Sequence, residues 1–394
     1  MKTIRDITIS GKRVFIRVDF NVPLDKQQQI TDDSRIRAAL PTIAYAREKG
    51  AKLILASHLG RPKGKPAAEF SLSPVARRLG DLLDADVKMA EDCVGGAVAH
   101  LISGMQPGDV TLLENLRFHS QEQENDDAFA QSLAALCDVY INDAFAVSHR
   151  ANASVVAITK FAPTSGAGFL LEKEINYIKK AMADPRRPLA AVVGGAKVSS
   201  KLAALHNMLQ HVDTVIVGGA MANTFLKFMG YAVGQSKIEE DLVAAAGDVI
   251  KKASEKGVRF YLPVDLVVAP EPDAKAPAKI VPAQEIPTDW MALDIGPATA
   301  LLFREALQDA RTVVWNGPMG VFEMEKFSAG TMGLATALAA SSATSVIGGG
   351  DSVSAGEKSG VADTIDHIST GGGASLELLE GKALPGIAAL TDRK

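Results

Sequence analysis

VVGGAKVSSK, residues 192–201, is the stretch whose reading decides the fold. An apolar run from Leu189 to Val193 ends on a glycine pair and passes into polar, helix-compatible sequence. Such a run reads as a buried strand, and Gly194-Gly195 lets the backbone turn sharply and come close to a ligand. A helix starting near Lys197 would put Lys197 and Lys201 on one face, four residues apart. Helix dipole, unpaired N–H groups and two ammonium groups would then act with one sign on a polyanion. The plainer alternative is a tight turn before a solvated helix, and the stretch does not fit the P-loop pattern G-x-x-x-x-G-K-[ST].

Outward from this point the same rhythm recurs. Downstream, strands are expected at 213–217, 260–268, 312–315 and 344–347, with helices at about 201–210, 299–310, 327–340 and 353–358. Glycines follow several strands, at Gly218-Gly219, Gly317-Pro318 and Gly348-Gly349-Gly350. The Pro/Gly-rich segment 270–288 reads as a surface loop. Upstream, strands are expected at 13–20, 52–57, 110–114 and 138–145, with helices at 35–49, 73–84 and 126–136. Asp32-Asp33-Ser34 starts the first helix and Gly50 stops it. Strands alternating with helices over this length predict an α/β protein with mostly parallel sheets flanked by helices. At 394 residues, two such lobes are expected. Their boundary is placed in the helical segment FLLEKEINYIKKA, 169–181.

Composition narrows the function. A formal net charge of −4 argues against a general nucleic-acid binder. No stretch reaches the length of a membrane span, and the charged N-terminus lacks a signal-peptide core, so a cytoplasmic protein is expected. Cys93 and Cys137 are too few and too far apart for a disulfide framework or a zinc site. His100, His119, His206, His211 and His367 show no metal-ligand spacing and read as structural or surface residues.

In open α/β sheets, ligands bind beyond the carboxyl ends of the strands. The first half places Asp19, Asn21, His58, Arg61, Arg117, His149 and Arg150 there, with Arg35 on the first helix. So much like charge at one edge implies a bound anion, which the arginine fork suits. The second half supplies glycines, two lysines, Glu323 and Asp351. Backbone N–H groups of Gly348 to Ser352 could take phosphate oxygens, and Asp351 could hold Mg²⁺; the alternative is a glycine turn with an N-capping aspartate. Ser369 to Gly373 repeats the device. Together the halves point to phosphoryl transfer across a cleft. No hydroxyl-activating aspartate loop is present, as expected if the acceptor is an already ionised carboxylate.

RVDFNVP (17–23), SHLGRP (57–62), ENLRF (114–118), INDAF (141–145), SHRA (148–151), GGAKVSSK (194–201), WNGPMGVFE (315–323), GGGDS (348–352) and STGGGASLE (369–377) together resemble phosphoglycerate kinases of the bacterial type. The resemblance implies reversible transfer between 1,3-bisphosphoglycerate and MgADP, giving 3-phosphoglycerate and MgATP. It implies an N-terminal 3-phosphoglycerate domain at 1–168 completed by a C-terminal tail, 376–394. A helical hinge at 169–184 and a nucleotide domain at 185–375 would follow. Asp19, Asn21, His58, Leu59, Gly60, Arg61, Arg117 and Arg150 would hold the substrate, and Arg35 and Lys197 the phosphoryl group in flight. Gly371, Gly372 and Gly373 would offer it N–H groups. Lys201 would meet the nucleotide phosphates, and Gly350, Asp351, Ser352 and Val353 would form the phosphate turn, with Mg²⁺ on Asp351. Gly219, Gly296, Pro318 and Glu323 would border the adenosine. A monomer without membrane or nucleic-acid partners is implied. Asn152 departs from the family pattern, which often has histidine there. The competing reading is a two-lobed phosphometabolite- or nucleotide-binding protein without turnover.

Overall fold

In a computed structural model, residues 1–183 and 185–391 are described. Asp184, the last residue of the expected hinge, and 392–394 of the expected tail lie outside them. The chain divides into two compact units, Met1–Ile175 with Ala383–Lys394, and Asn176–Lys382. The division falls inside the helix Phe169–Ala183.

The first unit holds β1 (Arg13–Arg17), β2 (Lys52–Ala56), β3 (Val87–Met89), β4 (Val110–Leu112), β5 (Val139–Asn142) and β6 (Ser165–Ala167). They form one six-stranded parallel sheet in the order β3-β4-β2-β1-β5-β6. Helices cover both faces of such a sheet, which is why RVFIR and KLILA are nearly continuous apolar runs. The helix Ser34–Glu48 buries Ile36, Ala39, Ile43 and Ala46, four of the five positions its apolar spacing predicts; the fifth, Leu40, is half-buried. Asp32 starts it by accepting the Ser34 N–H at 2.8 Å. Gly50, at φ 71°, ends it: its N–H bonds Arg47 O and that of Ala51 bonds Ala46 O, a Schellman closure.

The second unit has a parallel sheet of β7 (Leu189–Val193), β8 (Thr214–Val217), β9 (Arg259–Tyr261), β13 (Thr312–Asn316), β14 (Thr344–Gly348) and β15 (His367–Ile368). Its order is β15-β14-β13-β7-β8-β9. A separate antiparallel sheet, β11-β10-β12, joins β10 (Asp265–Ala269), β11 (Lys279–Pro282) and β12 (Met291–Ile295). This corrects two expectations. The run 260–268 is two strands in two sheets, parted at Leu262-Pro263-Val264, because proline cannot sustain a central ladder. The supposed loop 270–288 carries β11.

Two further corrections concern the glycine-rich ends. The helix after β7 runs Leu202–Met208, so Lys197 and Lys201 do not share a helical face. Lys201 N–H and Leu202 N–H both turn back to Val198 O, while Ser199 donates from backbone and hydroxyl to Glu239 at 2.9 and 2.5 Å. Serine bonds of this kind compete with a helical start. The return to the first unit begins at Ala383 rather than 376. The helix Gly373–Leu379 stays in the second unit, where Asn207 Nδ2 donates to Leu379 O at 2.8 Å. In the first unit, the helix Pro385–Thr391 buries Ile387 and Leu390, and Gly386 N–H donates to Ser148 O at 2.9 Å.

Candidate active site

Parallel strands bring all their carboxyl ends to one edge of their own sheet. In the first unit the last rungs pair Arg17 with Ala56 and Asn142, so the exits of β1, β2 and β5 lie side by side. β1 is the point where the strand order reverses, the usual place for a ligand crevice. There Asn21 Oδ1 accepts the Gly60 N–H at 2.8 Å, and Arg117 donates to Gly60 O at 2.8 Å. Gly60 needs its φ of 60°, and a Cβ there would strike the Phe70 ring. Asn115 holds the next turn by donating to Leu59 O and Phe70 O while accepting the Arg117 N–H. The Leu59 side chain belongs to the hydrophobic core, so only its backbone serves the site.

Charge dominates this edge. Arg35 donates to Asp19 Oδ2. His58 is buried, and its Nδ1 lies 3.2 Å from Arg17 Nη2. An arginine can only donate, so Nδ1 accepts and the ring proton sits on Nε2. Burial, with the charges of Arg17, Arg117, Arg150 and Arg35, holds His58 well below the usual histidine range. It is neutral at pH 7, with Nε2–H as a donor. Arg117 is pushed down to about 10 by burial and by Arg17 and Arg150, yet stays cationic. Its buried Nε has no hydrogen-bond partner. Arg150 is exposed and donates to His149 Nε2 at 3.2 Å. Arg61 is exposed on the Gly60 loop.

Sequence reasoning passed over two buried residues beneath these groups, Arg17 and Glu122. Arg17 Nε donates to Ser154 Oγ at 2.9 Å, and Nη2 stands 4.0 Å from Glu122 Oε1. Glu122 accepts from Ser154 N–H at 2.9 Å, Ser154 Oγ at 2.6 Å and Asn152 Nδ2 at 3.4 Å. Asn152, the departure from the family pattern, therefore acts on Glu122. A charged residue inside the otherwise apolar run VFIRV, 14–18, was the available signal for Arg17.

In the second unit the strand order reverses between β7 and β13, where two glycine exits interlock. Gly194 N–H donates to Asn316 O and Gly195 N–H to Pro318 O, both at 2.9 Å. Gly317 has φ 103°, and a Cβ on it would fall on the Gly194 backbone. Lys201 Nζ donates to Asn316 Oδ1 and, at 3.2 Å, to Asn316 O. Burial lowers its pKa to about 8, opposed by the charge of Asp351. Gly349, at φ 91°, turns the chain into the helix Gly350–Lys358, whose first turn carries exposed Asp351. Ser352 Oγ is buried and accepts the Gly317 N–H at 2.5 Å, tying β14's turn to β13's. Gly372, at φ 50°, and exposed Gly373 open the helix Gly373–Leu379. Lys197 is exposed.

Beside these turns lies a cavity of about 350 Å³. Leu266, Met291 and Leu293 from the antiparallel sheet form its apolar wall, and Gly219, Pro318, Glu323 and Asp351 also line it. Gly296 does not. It caps the helix Pro297–Leu307, and a Cβ there would meet the Asp265 carboxylate. Lys201, Gly350, Ser352 and Val353 are also absent from the lining, and Val353 packs against the core. Asp294 is a lining residue the sequence did not disclose. Burial pushes its carboxyl up to about 7 although it accepts from Gly330 N–H and Ile295 N–H.

A family model described as phosphoglycerate kinase matches residues 4–382. The chain belongs to the phosphoglycerate kinase family. The phosphoglycerate kinase of Desulfosudis oleivorans is 62% identical over 390 residues, covering 99% of this chain and 98% of that one. That of Desulfotalea psychrophila is 57% identical and covers 99% and 100%. The solved phosphoglycerate kinase of Coxiella burnetii superposes with a TM-score of 0.91 at 44% identity, covering 99% of each chain. That of Pyrococcus horikoshii gives 0.86 at 35% identity, covering 99% of this chain and 98% of that one. As a phosphoglycerate kinase the chain is a phosphotransferase with a carboxyl acceptor. It moves a phosphoryl group reversibly between 1,3-bisphosphoglycerate and ADP, a step of glycolysis, with ADP and ATP as co-substrates. Among the described residues no helix is long and apolar enough to cross a membrane.

The free-enzyme state of Lys201 gives a pH expectation. A lysine whose folded pKa is about 8 loses its charge as pH rises through that value. If Lys201 meets the nucleotide phosphates, we predict that kcat/KM for nucleotide falls above pH about 8, while kcat holds to higher pH because bound phosphates would keep the ammonium protonated. The sign for stability is opposite: between about 8 and the unfolded value of 10.5 the unfolded chain binds more protons, so stability rises with pH. A nucleotide kcat/KM flat from pH 7 to 9.5 would remove Lys201 from the phosphate contact.

Proposed function

We propose that the two strand-exit edges divide the reaction, the first unit holding 3-phosphoglycerate and the second the nucleotide, and that the units close on each other for transfer. The observation that carries this reading is the field at His58. The charges of four arginines act on that one buried, neutral ring, and the neighbouring Arg117 Nε lacks an acceptor. A phosphate dianion answers both, taking the Arg117 fork, Arg61, Arg150 and the His58 Nε2–H. Asp19 and Asn21 would meet the glycerate hydroxyl side, and Arg35 would reach from Asp19 toward the acyl phosphate.

In the second unit, the apolar wall of Leu266, Met291 and Leu293 suits a purine face, with Glu323 on the ribose hydroxyls. Lys201 would meet the phosphates, and the first-turn N–H groups from Gly350 would add to it. The exposed Asp351 carboxylate on the cavity rim is the hard oxygen donor that Mg²⁺ takes while keeping its waters. Mg²⁺, when bound, neutralises phosphate charge. Lys197, Arg35 and the Gly372 and Gly373 N–H groups would stabilise the phosphoryl group in flight. The acceptor is already an anion, so positioning and charge suffice, and closure excludes water from the acyl phosphate. The protein would work as a monomer in the cytoplasm, without membrane or nucleic-acid partners.

The test is a coupled assay of ATP- and Mg²⁺-dependent consumption of 3-phosphoglycerate, run on the natural chain and on Arg61→Ala. Turnover by the natural chain separates this reading from a binding protein. Arg61→Ala is expected to raise KM for 3-phosphoglycerate with a smaller effect on kcat; an unchanged KM contradicts the phosphate role.

A further inference from the structure

Outside the two strand-exit edges, one group of side chains has the chemistry of a metal site. Asp92 and Cys93 follow β3, and His119 follows the Arg117 turn beyond β4. They are far apart in sequence, which is why spacing alone gave no sign of them. In the fold, the Asp92 carboxylate, Cys93 thiol and His119 imidazole each bring a ligating atom within 4.8 Å of the other two, the one such grouping among the described residues. We infer that Asp92, Cys93 and His119 form a binding site for a thiophilic divalent cation such as Zn²⁺, with water as its fourth ligand.

The donor set is what Zn²⁺ takes: one sulfur, one imidazole nitrogen and one carboxylate oxygen. A site led by thiolate selects against Mg²⁺, so it is distinct from the proposed Mg²⁺ position on Asp351. Ligands of a tetrahedral zinc lie roughly 3.5 Å apart, given bonds of about 2.0–2.3 Å. No separation here exceeds 4.8 Å, so the widest must close by at most about 1.3 Å. The His119 Nε2–Asp92 Oδ1 contact, now 2.7 Å, must open by somewhat less. The surroundings favour a cation. Cys93 feels the charges of both Asp92 and Glu122. Phe129 stacks on His119 at 5.2 Å between ring centroids and fixes its plane. Access is from the Asp92 and His119 side, whose side chains are 45% and 28% exposed. Cys93 itself is buried.

Binding is a ligand exchange without redox change. The S–H bond breaks, its proton goes to solvent, the thiolate and a neutral imidazole each form a bond to the metal, and the metal releases water. Because the thiol must lose its proton to bind the metal, affinity should increase with pH.

The probe is Co²⁺, titrated into the reduced, chelator-treated full-length chain. We expect about one equivalent to give a thiolate-to-Co²⁺ charge-transfer band in the near ultraviolet, removed by Zn²⁺. Cys93→Ser should abolish the band, His119→Gln should weaken binding about tenfold or more, and Cys137→Ser should leave both unchanged. No band in the natural chain, or an equal band in Cys93→Ser, overturns the site. If Cys93→Ser fails to fold by circular dichroism, Asp92→Asn and His119→Gln decide: unchanged Co²⁺ affinity in both leaves only a hydrogen-bonded Asp–His pair beside a buried thiol.

Discussion

Replacing Lys197 or Arg35 with alanine is expected to lower kcat more than tenfold, a loss of at least about 1.4 kcal/mol of transition-state stabilisation. Neither side chain is part of a core. Lys197 is exposed and Arg35 is held at its far end by Asp19, so the fold should survive both changes. In the proposed reading each would bring a cation to the moving phosphoryl, an interaction that would strengthen in the transition state. The loss should therefore appear in kcat as much as in kcat/KM, unlike Arg61→Ala. Steady-state kinetics with both substrates saturating measures it. Near-normal kcat in both variants would take these two residues out of the mechanism.

The second large effect is on stability. Glu122 is fully buried, and its oxygens are shared among Ser154, Asn152 and the Arg17 guanidinium. Burial raises its pKa while Arg17 and the Ser154 bonds oppose that rise. Glu122→Ala leaves Arg17, 1% exposed, without that carboxylate and Ser154 without its acceptor. Breaking a buried pair from one side costs about 3–5 kcal/mol. The first unit's thermal transition should fall by roughly 10 °C. His58 would lose its fixed neighbour too, so KM for 3-phosphoglycerate should rise in whatever fraction stays folded. A Tm within 2 °C of the natural chain, a shift worth only about 1 kcal/mol, would mean that Glu122 is not what balances Arg17.

The central parallel strands were legible because buried strands are apolar on both faces and end at glycine, proline or polar residues, whereas the edge strands β3, β6 and β15, only two or three residues long, were not expected. Arg17 to Pro23, Ser57 to Pro62 and Gly194-Gly195 all mark real strand exits. The antiparallel sheet was hidden. β11, KIVP, has three exposed residues of four and sits among prolines, and a proline splits the run that holds β9 and β10. The missed sheet supplies the apolar wall of the cavity proposed for the nucleotide, so the adenosine side was the least legible part of the site. Gly296 shows this: it was expected to border the adenosine, but it caps a helix against Asp265 and does not line the cavity. The early helix start at Lys197 failed for a local reason, since Ser199 and Ser200 prefer Glu239 and the Lys197 carbonyl to a helical turn. Buried charges such as Glu122 and Asp294 were invisible because their burial depends on partners more than thirty residues away.

Small-angle X-ray scattering of the natural chain tests the central claim, that each unit binds one substrate and that both are needed to unite them. The radius of gyration should stay near its ligand-free value with 3-phosphoglycerate alone or with Mg²⁺ and nucleotide alone, and fall when all are present. A radius that does not change with both substrates bound, in a protein turning over normally, would contradict transfer by closure.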